Sequence, residues 1–171
     1  MSIVSDAAGA EKSWHAYNDF LALGSLDRYS KILARYELFR RVVDLPGDII
    51  EAGVFKGTGV LYWAKLLAIF NPLSLRRVVG FDTFQGFLAN DERATDVAAG
   101  AGLEREAAYQ PVSPDDILRV AEMQNLDRRI ELVAGDATVT IPEYTRRHPG
   151  FRIALLNLDF DVYRPTKVAL E

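Results

Sequence analysis

Cysteine is absent from the 171-residue chain, which excludes disulfides and thiolate metal sites and leaves the redox compartment open. Histidine is scarce: only His15 and His148 occur, and neither follows an apolar strand-like run, so neither is offered as a general base. Long hydrophobic runs are also missing. The longest, Val60 to Phe70, is interrupted by Lys65 and falls short of the roughly 18 residues that a membrane span needs. The opening MSIVSDAAGAEKSW carries an early acid and no apolar core, so it does not read as a signal peptide, and a cytoplasmic protein is expected. Basic charge is not in excess either. Twenty Lys and Arg stand against 24 Asp and Glu, a net charge of -4, and the cations are scattered rather than gathered into a footprint for nucleic acid. Arg146, Arg147 and His148 read as a helix end whose cations complement the dipole. Neither nucleic acid nor membrane is an expected partner.

What is present suits a folded domain with a core: 49% of residues are hydrophobic and 26% charged. The first 25 or so residues are mixed and are expected to be partly loose, with Gly24 and Ser25 marking a break. From Asp27 the spacing of Ile32, Leu33, Tyr36, Phe39, Val42 and Val43 predicts a helix over 27–44, closed by Pro46 and Gly47. Residues 1–44 are thus taken as a helical lead-in and 45–171 as the main domain. In that domain GDIIEAGVFKGTG predicts a short strand turning into an apolar helix, and RRVVGFDTF a second strand ending at Asp82. A polar insert over 86–113 is longer than an ordinary connection and suggests a lid or binding loop. Ser113 and Pro114 then open a helix, ELVAGD gives a third strand, a helix runs over roughly 141–147, and FRIALLNLD gives a fourth strand. Short continuous apolar strands alternating with helices point to a mostly parallel sheet buried on both faces, an α/β, Rossmann-like fold.

In such a sheet the carboxyl ends of the strands share one edge, where ligands bind. Glu51, Ala52, Gly53, Gly57 and Thr58, with Asp82, Thr83, Asp136, Ala137 and Asp159, are therefore expected around one crevice. Glycines let the backbone approach a ligand and turn tightly into the helix. Glu51, an acid at the buried end of a strand, calls for a partner, which a cationic ligand or donor amine would supply. Asp82 stands where doubly wound folds place an acid on ribose hydroxyls, and Asp136 could accept from an adenine amino group or cap the next helix. The glycine spacing is G-x-x-x-G-x-G, and Glu51 would face a dinucleotide's diphosphate unfavourably. S-adenosylmethionine has no phosphate and carries an amino group and a sulfonium, so the electrostatics favour it over a nicotinamide cofactor. Asp159 and Asp161 are two apart, so continued strand geometry would set both on one side of the sheet edge, as candidate catalytic acids; a turn-organising role for Asp161 is an equal alternative.

GDIIEAGVFKGTG, VVGFDTFQGF, the insert leading to YQPVSPDD and LNLDFDVYRPT resemble the macrocin O-methyltransferase (TylF-like) family of class I S-adenosylmethionine-dependent methyltransferases, from about Leu45 to Glu171. The resemblance implies methyl transfer to a hydroxyl, typically on a sugar of a natural product, assisted by a divalent metal such as Mg2+. It assigns Glu51 and Gly53 to the methionine end of the cofactor, Asp82 to the ribose, and Asp159 to the metal as its first ligand. Where the family has an Asp-Thr-Leu-Pro turn, this chain has Val139, Thr140, Ile141 and Pro142, which shifts the expected adenine contact to Asp136. The family's other metal carboxylates would lie beyond Glu171, so the fold is expected to be C-terminally truncated after the fourth strand. That expectation keeps two other readings in view: a catalytically incomplete binding or interaction module, whose fourth strand would expose a bare edge suited to a homo-oligomer, and, less favoured, a nicotinamide-dependent enzyme.

Overall fold

The computed structural model describes residues 7–88 and 112–171, so the 86–113 insert falls mainly outside the described residues. By Cα proximity the chain divides into two compact units, Met1–Arg40 and Arg41–Glu171.

In the first unit the expectation of a loose start is corrected: Ala7–Leu23 forms helix α1. Five alanines in AAGAEKSWHAYNDFLAL favour the helix on propensity alone, although its large apolar residues Trp14, Tyr17 and Leu21 remain exposed. The break at Gly24 is real. A Cβ there would lie 2.4 Å from the Phe20 carbonyl oxygen, which the Gly24 N–H caps at 2.9 Å. Helix α2, Leu26–Val42, follows, and Tyr29 stacks on Phe20 at 5.0 Å while its hydroxyl donates to the Leu21 carbonyl at 2.8 Å.

The second unit holds strands β1 (Asp48–Ala52), β2 (Val78–Asp82), β3 (Ile130–Ala134) and β4 (Ile153–Leu158). All pair in parallel, in the order β3-β2-β1-β4. Helices α3 (Thr58–Phe70), α4 (Pro114–Glu122), α5 (Ala137–Arg147) and α6 (Tyr163–Leu170) fill the connections. The central strands carry apolar side chains on both faces because helices cover both. One face packs Ile50, Val79 and Phe81 against Tyr144 of α5. The other is served by α3, where Val60, Trp63, Ala64 and Leu67 have no exposed surface. Side chains of that size contribute on the order of 2 kcal/mol each on burial, which is why α3 is apolar nearly all round.

Helix starts follow local chemistry. Ser113 caps α4 by accepting the Asp116 N–H at 3.2 Å, with Pro114 at the first helical position. Helix α5 begins four residues earlier than the sequence pattern suggests, because Asp136 caps it and Pro142 lies inside it rather than at its start.

Candidate active site

Residue Gly53 is where β1 leaves the sheet. Its φ is 97°, and a Cβ would sit 2.1 Å from the Asp159 carbonyl oxygen, so only glycine lets β1 and the segment after β4 come this close. The Asp159 N–H donates to the Ala52 carbonyl at 2.7 Å, and the Gly53 N–H to the Phe81 carbonyl at 2.9 Å. Three strand ends are thereby tied together at one edge.

The turn from Gly53 into α3 is organised by an acid from the neighbouring strand. Asp82 Oδ2 accepts the Val54 N–H at 2.7 Å and the Phe55 N–H at 2.9 Å, and Oδ1 accepts the Phe84 N–H at 2.8 Å. Phe55 and Phe84 are both left-handed, at φ 53° and 54°, conformations that cost a non-glycine residue energy unless the surroundings hold them. Asp82 does the holding. Thr83 completes its own turn by donating to the Gly86 carbonyl at 2.6 Å and accepting the Gln85 N–H at 3.1 Å. Gly57 is the residue before Thr58 and α3, at φ 80°, and a Cβ on it would strike Ile117 of α4 at 2.8 Å.

Asp136 takes the helix-capping alternative: its Oδ1 accepts from the Thr138 N–H at 2.9 Å and the Thr138 hydroxyl at 2.7 Å. With Ala137 it lies at the end of β3. Glu51 is 2% exposed. Its Oε2 accepts the Trp63 indole N–H at 2.7 Å and the Asn157 side-chain N–H at 3.0 Å. The partner that its burial calls for is thus met inside the protein by two donors. Trp63 and Asn157 were not anticipated, although an indole in an aliphatic helix and an amide interrupting the apolar run of β4 were the visible signals.

The two acids after β4 do not form the pair expected of a continuing strand. The strand stops at Leu158, and Asp161 is left-handed at φ 61°, so the alternation of a strand no longer applies between Asp159 and Asp161. Both are exposed. Among the described residues no group of three or more His, Cys, Asp or Glu could hold a metal ion. Asp159 offers one hard oxygen donor, and a magnesium ion there would complete its octahedral shell with other oxygens and water.

A four-stranded parallel sheet in this order, with glycine and acid at its carboxyl edge, is the Rossmann-like fold of class I methyltransferases. Residues 28–171 match the family described as Macrocin-O-methyltransferase (TylF), and the chain belongs to that family. It is 28% identical over 125 residues to the mycinamicin III 3''-O-methyltransferase of Micromonospora griseorubida, covering 71% of this chain and 47% of that protein. The crystal structure of CalS11, a calicheamicin methyltransferase, superimposes with a TM-score of 0.71 at 30% identity over 92% of this chain and 64% of that one. An apo structure of CalS11, described as a TDP-rhamnose 3'-O-methyltransferase, gives 0.62 at 29% identity over 90% and 60%. The O-methyltransferase NovP gives 0.65 at 25% identity, over 85% and 58%. The chain thus spans about half the length of the curated relative and under two thirds of each of these solved structures.

Proposed function

We propose that this chain carries the S-adenosylmethionine-binding half of an O-methyltransferase that acts on a hydroxyl of a sugar or sugar-bearing natural product. Membership of the macrocin O-methyltransferase family and the sugar acceptor in the description of CalS11 support the reaction class. The observation that carries the cofactor is Asp82. In a phosphate-binding turn, the amides after the first strand face the phosphate. Here the Val54 and Phe55 amides face a carboxylate instead, so a diphosphate would meet an acid where it needs N–H groups. An uncharged ribose and a cationic sulfonium suit that edge.

The cofactor supplies an electrophilic methyl group. The chain's own residues bind and orient. Asp82 has lone pairs beyond its three backbone contacts for ribose hydroxyls, and Ala52, Gly53, Gly57 and Thr58 offer backbone close to the ligand. Thr83 stiffens the turn beside Asp82, and Asp136 and Ala137 border the base. Asp159, exposed at the edge of β4, is positioned to meet the acceptor, and Asp161 shapes the turn behind it. Orientation of an acceptor hydroxyl against a methyl donor is the main demand of an in-line transfer. The family resemblance pairs Asp159 with a divalent cation, but the described residues do not themselves make a magnesium site, and no step here runs through one.

Calorimetry with S-adenosylmethionine and with NAD separates the two cofactor readings. Binding of the first and not the second is expected, with at least a tenfold loss, on the order of 1.4 kcal/mol, in Asp82→Ala. A folded protein that binds NAD, or neither ligand, sinks the proposal. Among the described residues no helix is long and apolar enough to cross a membrane.

A further inference from the structure

Glu51 sits at the point where the sheet order reverses direction from β1, with β2 on one side and β4 on the other. In register it lies between Gly80 of β2 and Asn157 of β4. Its side chain reaches the α3 side of the sheet, where a single oxygen, Oε2, accepts from Trp63 and Asn157. Trp63 has no exposed surface, so the indole is fixed by packing as well as by this bond. Two residues beyond Asn157 comes Asp159, and two beyond Glu51 comes Gly53, where a Cβ would lie 2.1 Å from the Asp159 carbonyl oxygen.

We propose that Glu51 is a positioning residue of the cofactor site: its carboxylate clamps β4 and α3 to β1, and so sets where Gly53 and Asp159 stand, instead of binding the cofactor's amino group. This rests on the reading of the crevice as an S-adenosylmethionine site. A buried acid whose donors come from two other elements acts as a rivet, because moving either element strips a hydrogen bond from a group that water cannot reach. Asn157 lies in the strand that delivers Asp159, so loss of the clamp reaches the site through β4 itself. Gln at 51 retains a carbonyl oxygen able to accept both donors but removes the charge; Ala removes both.

The test titrates S-adenosylhomocysteine and 5'-methylthioadenosine, a nucleoside without the amino-acid end, into the wild type, Glu51→Gln, Glu51→Ala and Trp63→Phe. Expected is that Glu51→Gln keeps both affinities within about threefold, while Trp63→Phe weakens both ligands in parallel. A selective loss of S-adenosylhomocysteine of about tenfold or more in Glu51→Gln, with methylthioadenosine unchanged, means direct contact with the amino group and overturns the proposal. The indole N–H resonance of Trp63, assigned with Trp14→Phe, provides an independent reading. It should hold its position in Glu51→Gln and move in Glu51→Ala; an unmoved resonance in Glu51→Ala overturns the clamp. If the folded wild type binds neither nucleoside, the cofactor reading fails, and the indole resonance still decides whether the clamp exists.

Discussion

The two edges of this sheet handle their charges in opposite ways. At the amino edge, Arg77 joins two acids: its backbone N–H donates to Asp48 Oδ1 at 2.8 Å, and its guanidinium reaches Asp48 Oδ2 at 3.5 Å and Glu131. The Tyr144 hydroxyl donates to the same Glu131 oxygen at 3.0 Å. At the carboxyl edge, Glu51, Asp82 and Asp136 accept from backbone amides, an indole, a side-chain amide and a hydroxyl, donors with no formal charge. Hydrogen bonds from neutral groups fix a carboxylate in place without cancelling its field. The amino edge is therefore partly neutralised from within by a cation, whereas the acids of the carboxyl edge keep their full charge to offer a cationic ligand.

The variant expected to break that contrast most violently is Gly53→Ala. A positive φ and a Cβ 2.1 Å from a carbonyl oxygen force β1 and β4 apart, so we expect a loss of about 3 kcal/mol or more in urea unfolding. Next comes Glu51→Ala, which orphans a buried indole N–H and a half-buried amide and should cost about 2–3 kcal/mol, nearly unchanged between low and high salt because the donors are neutral. Arg77→Ala should behave differently. The guanidinium is 40% exposed, so the loss should be about 1 kcal/mol, shrink as salt is added, and leave cofactor affinity untouched. Equal salt dependence in the two variants would erase the distinction between the edges.

The smallest effect is a slope with pH. Burial, with Glu131 beside it, raises the Tyr144 phenol from its ordinary 10.0 to about 12. The folded state thus keeps a proton that the unfolded chain gives up. Stability from this group is complete below pH 10 and falls as pH rises toward about 12. Tyr144→Phe should flatten the alkaline limb of a stability–pH curve measured by chemical denaturation. A limb of unchanged slope would mean that Tyr144 is not the group responsible.

The strands were legible because each is a short apolar run closed by glycine or acid, and helix α4 because Ser113 and Pro114 announce it. Helix α1 was not, since its stripe of Trp14, Tyr17 and Leu21 is interleaved with charges and does not face a buried core. The crevice acids were legible by position, but their partners were not. Trp63 and Asn157 meet Glu51 only once α3 and β4 are folded against β1, a coincidence of three elements that no local pattern records. Asp161 misled for a local reason: the strand ends before it, and a left-handed residue follows where alternation was assumed.

The long reach of the Glu51–Asn157 bond also bears on how the chain folds. These residues are 106 positions apart, and β1, which lies between β2 and β4, must wait until β4 has been made before its second neighbour exists. Until then a nascent β1 pairs on one side only, and its buried acid lacks one of the two donors that stabilise it. Contacts of such sequence separation slow folding, and an unpaired strand edge is what chaperones and aggregation compete for. During synthesis the vulnerable surface is thus an inner strand of the sheet, and the residue that ends the exposure is made 106 positions after the acid it serves.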